Sequence, residues 1–191
     1  ISLGLVGSEM CIRDSMYTDV QVFNETKRHS IPSLIDTGCS LCIIDSIFAI
    51  DSCGIKEDEL QTIHVNQTKD KISSAFIDSI FFCGKTYHKV YCLVADLTGH
   101  YQKYAPKFIV GANILSSGAW KFDMEKNIVE PYDSNNKAKG TIYKWKNHED
   151  YPDVAIDYII LDSKVNEKKT RFAFDLSLIH ISEPTRPRLI S

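Results

Sequence analysis

The sequence has no basic cluster: 22 Lys and Arg stand against 25 Asp and Glu, a formal net charge of −3. That balance lacks the electrostatic footprint of a nucleic-acid binder and argues against nucleic acid as the main partner. No apolar run approaches the ~20 residues that a membrane-spanning helix requires. Cysteine is scarce, six in all, and one of these, Cys11, lies in a terminal stretch that does not read as protein. The remaining five, Cys39, Cys42, Cys53, Cys83 and Cys92, are an odd number in a chain long enough to build a core. Reduced thiols in a cytoplasmic compartment are therefore expected in place of a disulfide framework. Cys39 and Cys42 have a metal-like spacing, but no second Cys pair or His pair accompanies them, and strand positions three apart face opposite sides. No metal and no cofactor are expected. Asn24-Glu25-Thr26 and Asn66-Gln67-Thr68 match the glycosylation sequon, which has consequences only in a secreted protein.

The two ends differ in kind from the rest. Residues 5–15, "LVGSEMCIRDS", can be encoded by DNA whose reverse complement, in frame, reads "LSLIHISEPTR", residues 176–186. Both resemble translated sequencing-adapter DNA, and codon choices that satisfy both peptides at once are hard to reach by chance. Residues 1–15 and 176–191 are therefore set aside from fold reasoning, as a fusion scar would be. The apolar "ISLGLVG" is accordingly no sign of a signal peptide. The natural protein is expected to extend beyond one or both ends.

What lies between is long enough for one domain and the beginning of something else. Short apolar runs bounded by turn residues give it strand character throughout. "YTDVQVF" alternates, a polar stretch follows from Asn24 to Ser30, and "IPSLID" returns as the second strand of a hairpin, with Asp36 at its end. "SLCIID" reads as a buried strand, and "SIFAIDSCGI" as a short helix or turn ending at Gly54. "LQTIHV" and "ISSAFIDSIFF" flank a polar tip, "NQTKDK". "KTYHKVYCLVA" is a further strand, "KFIVGANIL" is a strand running into Gly111 and a short helix, and "AWKFDMEKNIVEPY" is a closing hairpin. The reading is an all-β domain over residues 16–132 with one short helix, a small closed or folded-over sheet. Residues 133–150 have a linker's composition, and residues 151–175 open a second unit.

The triplet Asp36-Thr37-Gly38 sits between two apolar runs. A carboxylate buried there without a partner costs several kcal/mol or more, so it needs a partner or a task. Leu34 and Ile35 precede it and Ser40 follows; about seventy residues later comes "FIVGANIL". In these motifs the chain resembles the retropepsin-like aspartic peptidases, in which an apolar-apolar-Asp-Thr-Gly loop is followed by a flap hairpin and then by an apolar-apolar-Gly strand entering a short helix. The match runs over residues 20–130 approximately, with "LIDTGCS" at 34–40, a candidate flap at 62–82, and Ile109-Val110-Gly111 ahead of Asn113 and Leu115.

The resemblance implies an endopeptidase in which Asp36 supplies one of two carboxylates sharing a proton. One acts as base toward a water and the other as acid, because two like charges a few ångströms apart do not both ionise. Gly38 allows a tight turn that aims its N–H at the carboxylates. The resemblance gives Thr37 a hydrogen bond across to the partner lobe, Ser40 a bond to the outer oxygen of Asp36, and Gly111 the close passage of a strand behind the loop. Cys39 stands where Ala or Ser is usual, and the tip Asn66–Lys71 lacks the glycine often found there. The alternatives are an ordinary Asp-bonded loop and a peptide-binding or dimerisation module that kept the fold without the chemistry.

A dyad needs two lobes and residues 16–132 supply one. A homodimer would bring two copies of Asp36 together. The other source lies in "YPDVAIDYIILDSKVNEKKTRFAFD", residues 151–175, which resembles "YTDVQVFNETKRHSIPSLID", residues 17–36: both begin Tyr-x-Asp-Val, both carry Asn-Glu near basic residues, and both end in Asp. Asp175 is therefore a second candidate carboxylate.

Overall fold

The structure, a computed structural model, describes residues 16–64, 71–98, 105–123, 125–133 and 160–176. Strands β1 (Tyr17–Asn24) and β2 (Lys27–Ile35) form the first hairpin. Polar residues Lys27–Ser30, read from the sequence as connection, are strand: the turn is only Glu25-Thr26, with Glu25 at φ 52, and Val22 pairs with His29. Cross-strand pairing to β1 outweighs the weak propensity of those side chains. Asn24 is buried, and its amide donates to the Cys53 carbonyl at 3.1 Å, so this sequon does not present a free acceptor.

Strand β3 (Cys42–Asp45) leads into a π-helical turn at Phe48–Ser52, closed by Gly54 at φ 74. A short 3₁₀ turn follows at Glu57–Glu59. Strand β4 (Gln61–His64) pairs antiparallel with the start of β5 (Lys71–Phe82), while the rest of β5 pairs with β6 (Lys85–Ala95) across the Cys83-Gly84 turn. The tip between β4 and β5 lies outside the described residues. β7 (Phe108–Val110) and α1 (Ala112–Leu115) follow, then the hairpin β8 (Trp120–Asp123) and β9 (Ile128–Pro131). The linker reading for residues 133–150 falls almost wholly outside the described residues.

Six strands close on themselves in the order β1-β2-β7-β3-β6-β5, because β5 pairs with β1 as well as with β6, and β4 extends β5. The fold is thus all-β, a closed sheet with one short α-helix among the described residues. Closure removes the unpaired edges that an open sheet of this size would expose. Val20, Val22, Ile77, Ile80, Phe82, Cys92 and Phe108 fill the interior. Among the described residues no helix is long and apolar enough to cross a membrane.

At the ends of β2 and β7 both sheet faces are covered. Ile35 and Val110 point into the main core, while Leu34 and Ile109 pack with Leu97 in a second cluster against Tyr17, Cys39 and Ile43. Leu34 pairs with Ile109 and Ile35 with Val110 in parallel register. Two-sided burial explains why Leu34-Ile35 and "FIV" are consecutive apolar residues without alternation.

Strands β10 (Ile160–Val165) and β11 (Lys168–Ala173) form a separate hairpin, turning at Asn166 and Glu167, both with positive φ. Like the hairpin of β1 and β2, it has a strand that leads toward an aspartate, here Asp175.

Candidate active site

The loop after β2 is clamped from behind by β7 and α1. Asp36 N–H donates to the Val110 carbonyl (3.1 Å), Ala112 N–H to the Cys39 carbonyl (2.7 Å) and Asn113 N–H to the Ser40 carbonyl (3.1 Å). Gly111 has extended backbone, φ −98 and ψ −177, which any residue can adopt. Its need for glycine is one of space: a methyl group there would run into the Leu41 carbonyl and come within 2.8 Å of Cys42 N. Asn113 finishes the clamp. Its Oδ1 accepts from Cys42 N–H (2.9 Å) and the Cys42 thiol (3.1 Å), and its Nδ2 donates to the Tyr91 carbonyl (3.0 Å), tying β3 to β6. Sequence reasoning noted Asn113 only as part of a motif. Its three-way bonding depends on β3, β6 and α1 meeting, and no local signal carries that.

Within the loop, Asp36 is buried (7% exposed), as is Thr37 (0%). Gly38 N–H donates to Asp36 Oδ1 at 2.8 Å. The second oxygen, Oδ2, accepts from the Cys39 thiol at 3.3 Å. This corrects the role expected of Ser40, whose contribution to the clamp is its backbone carbonyl. The turn recorded by the Cys39 N–H to Asp36 carbonyl bond (3.3 Å) folds the third residue after Asp36 back over the carboxylate and carries the fourth past it.

Thr37 bridges two segments far apart in sequence. Its hydroxyl donates to the Phe174 carbonyl at 3.1 Å and accepts from Leu176 N–H at 2.9 Å. Between those residues lies Asp175. A methyl group on Gly38 would come within 2.5 Å of Asp175 Oδ2 and 2.6 Å of its Cγ, so the Asp175 carboxyl rests against the glycine that also bonds Asp36. Leu176, first residue of the stretch set aside as adapter-like, is 4% exposed and packs into the main core.

The electrostatics follow from this crowding. Burial pushes the Asp36 carboxyl above its ordinary pKa; the Cys39 and Gly38 donors pull it down, and the neighbouring Asp175 pushes it up again. The Cys39 thiol is raised far above the usual range, by burial first and then by the negative charge of Asp36. At neutral pH it is a neutral S–H donor and a poor nucleophile. Among the described residues no group of three or more His, Cys, Asp and Glu is arranged to hold a metal ion.

A second carboxylate, Asp45, was missed by sequence reasoning. It is fully buried, caps the π-helical turn through Phe48 N–H (3.0 Å), accepts from Leu97 N–H (3.4 Å) and pairs with Lys107 at 3.5 Å. These bonds make it a structural group at the far end of β3. The signal that could have found it is an Asp three residues ahead of a helical apolar segment, a helix N-cap pattern.

Thr37→Val tests the bridge. Valine keeps the shape but leaves the Phe174 carbonyl and the Leu176 N–H without their hydroxyl partner, at about 1–3 kcal/mol per buried group. The expected result is faster amide hydrogen exchange over residues 160–176, with β1–β7 protected as before. Unchanged exchange in that hairpin would remove the bridge from the account.

No protein-family model matches the sequence, and no curated protein matches it. Among solved structures, a retropepsin-like aspartic protease from Rickettsia conorii aligns with a TM-score of 0.43 at 19% identity, over 57% of this chain and 75% of that one. The retroviral protease-like domain of Ddi1 from Leishmania major aligns with a TM-score of 0.42 at 14% identity, over 61% of this chain and 87% of that one.

Proposed function

We propose that the chain is an aspartic endopeptidase and that its two carboxylates are Asp36 and Asp175 of the same chain. The observation that carries this reading is the seating of the Asp175 carboxyl against Gly38, with the Thr37 hydroxyl bonded on both sides of it, to Phe174 and Leu176. Two like charges a few ångströms apart do not both ionise, so one carboxyl serves as base and the other as acid. The ionised member takes a proton from a water as that water attacks a peptide carbonyl. The protonated member gives its proton to the carbonyl oxygen, so a neutral tetrahedral diol forms with no free oxyanion. Collapse of the diol, with proton transfer to the leaving nitrogen, breaks the C–N bond and restores the shared proton. The substrate is an extended peptide, recognised through pairing with its backbone. No cofactor enters the scheme.

The other arrangement, a homodimer, would pair Asp36 with its copy on a second chain. The test is cleavage of a peptide library between about pH 3 and 7, repeated over a hundredfold dilution. The expected result is cleavage with constant activity per chain, abolished by Asp175→Asn. Activity that falls steeply on dilution and survives Asp175→Asn overturns the same-chain pair and leaves the peptidase class standing. No cleavage at any pH overturns the peptidase reading.

A further inference from the structure

We infer that Cys39 is a positioning residue of the carboxylate pair, its S–H held on Asp36 Oδ2 so as to favour the ionised form of Asp36. This rests on the peptidase reading for its catalytic consequence and on geometry alone for the hydrogen bond. Three observations carry it. The thiol lies 3.3 Å from Asp36 Oδ2, on the oxygen that the Gly38 N–H does not use. The loop is fixed on both sides of it, through the Cys39 N–H to the Asp36 carbonyl and the Cys39 carbonyl to Ala112 N–H. The side chain also packs against the Leu34, Leu97 and Ile109 cluster, which holds its direction.

The titratable groups facing the thiol are Asp36 in its own loop, Asp175 after β11, and Cys42 at the start of β3. Two of these are carboxyls whose negative charge keeps the sulfur protonated, so it stays a donor over the range in which the pair works. The Cys42 thiol is bonded to Asn113. A thiol is a weaker donor than a hydroxyl. Cysteine therefore gives Asp36 less help in ionising than serine would, and more than alanine.

That ordering is the test. The pH dependence of kcat/KM, whose acid limb reports ionisation of the free pair, is measured for the wild-type chain, Cys39→Ala and Cys39→Ser. In parallel, the Asp36 carboxyl is titrated by carbon-13 NMR in all three. Losing the donor in Cys39→Ala is expected to move both the acid limb and the Asp36 titration upward by about half a pH unit, a roughly threefold gain in proton affinity. Cys39→Ser is expected to return both to the wild-type position or below it. A side chain that only fills space would change thermal stability in Cys39→Ala and leave both titrations in place, and that result overturns the inference. If Asp36→Asn still cleaves, the peptidase reading fails on its own. The NMR titrations then decide on Cys39 without any activity: the upward shift in Cys39→Ala and its reversal in Cys39→Ser support the bond, and superimposed curves overturn it.

Discussion

Replacing Asp36 by Asn is expected to lower peptide cleavage by about 10⁴-fold, the upper range for loss of a general acid–base group, while the chain stays folded. The amide has nearly the shape of the carboxyl, and its oxygen can still accept from Gly38 N–H, so the loop keeps its 2.8 Å bond. What it loses is the ability to take up and release a proton, on which the proposed chemistry depends. The same substitution has a signature in stability whose sign follows from the raised pKa. Burial, then the proximity of Asp175, make the folded state hold a proton on Asp36 more tightly than the unfolded chain does, whose value is near 3.8. As pH rises from below 3.8 through the raised folded-state value, the folded state is destabilised relative to the unfolded one. Asn at this position carries no such penalty. Asp36→Asn should therefore raise Tm at pH 7, by roughly 2–4 °C if removing the buried charge relieves ~1 kcal/mol, and by progressively less as pH falls to 3. Thermal melts of the two proteins at pH 7 and pH 3 check this. A variant less stable than the parent at pH 7 would show that Asp36 is compensated by partners beyond Gly38 and Cys39.

Gly111→Ala is expected to cost about 3 kcal/mol, the upper range for overpacking, and to lower Tm by up to roughly 10 °C. The added methyl meets backbone, the Leu41 carbonyl and Cys42 N, and neither can turn aside as a side chain could. Relief would require β7 to separate from the loop, at the expense of the Asp36 N–H to Val110 carbonyl bond and the Ala112 N–H to Cys39 carbonyl bond. Activity should fall with stability, since those bonds hold the carboxylate's own backbone. Gly118→Ala is the control: its added methyl would meet only the Trp120 ring, at 3.4 Å, an ordinary contact, and a change within about 0.5 kcal/mol is expected. Chemical denaturation of the two variants side by side checks both. Equal stabilities would show that the β7–loop contact yields more easily than backbone against backbone allows.

Gly111 also marks how far the sequence could be read. Gly111 was singled out because a glycine after "FIV" and before a short helix resembles a motif. The atom it must avoid belongs to Leu41, seventy positions earlier, and only the closed sheet brings the two together. The strands were legible because alternation in β1 and the consecutive apolar residues at the end of β2 and through β7 are local records of burial on one face or two. Lys27–Ser30 were misread for the converse reason: their side chains are polar, but their backbone is claimed by β1. The resemblance puts Ser40 on the carboxylate, whereas the turn at Asp36 brings round Cys39, one residue earlier.

By itself the sequence determined an all-β chain whose second strand ends in a carboxylate between apolar runs, because hydrophobic periodicity and turn residues act over a few positions at a time. It also contained the likeness between the segments that end in Asp36 and Asp175. Only the tertiary structure decided that those two segments meet, since the Thr37 hydroxyl reaches residues 137 and 139 positions away in the chain. Loop closure over such a distance has no local signature in composition or periodicity; it is settled by which buried N–H and C=O groups find partners once the sheet has closed.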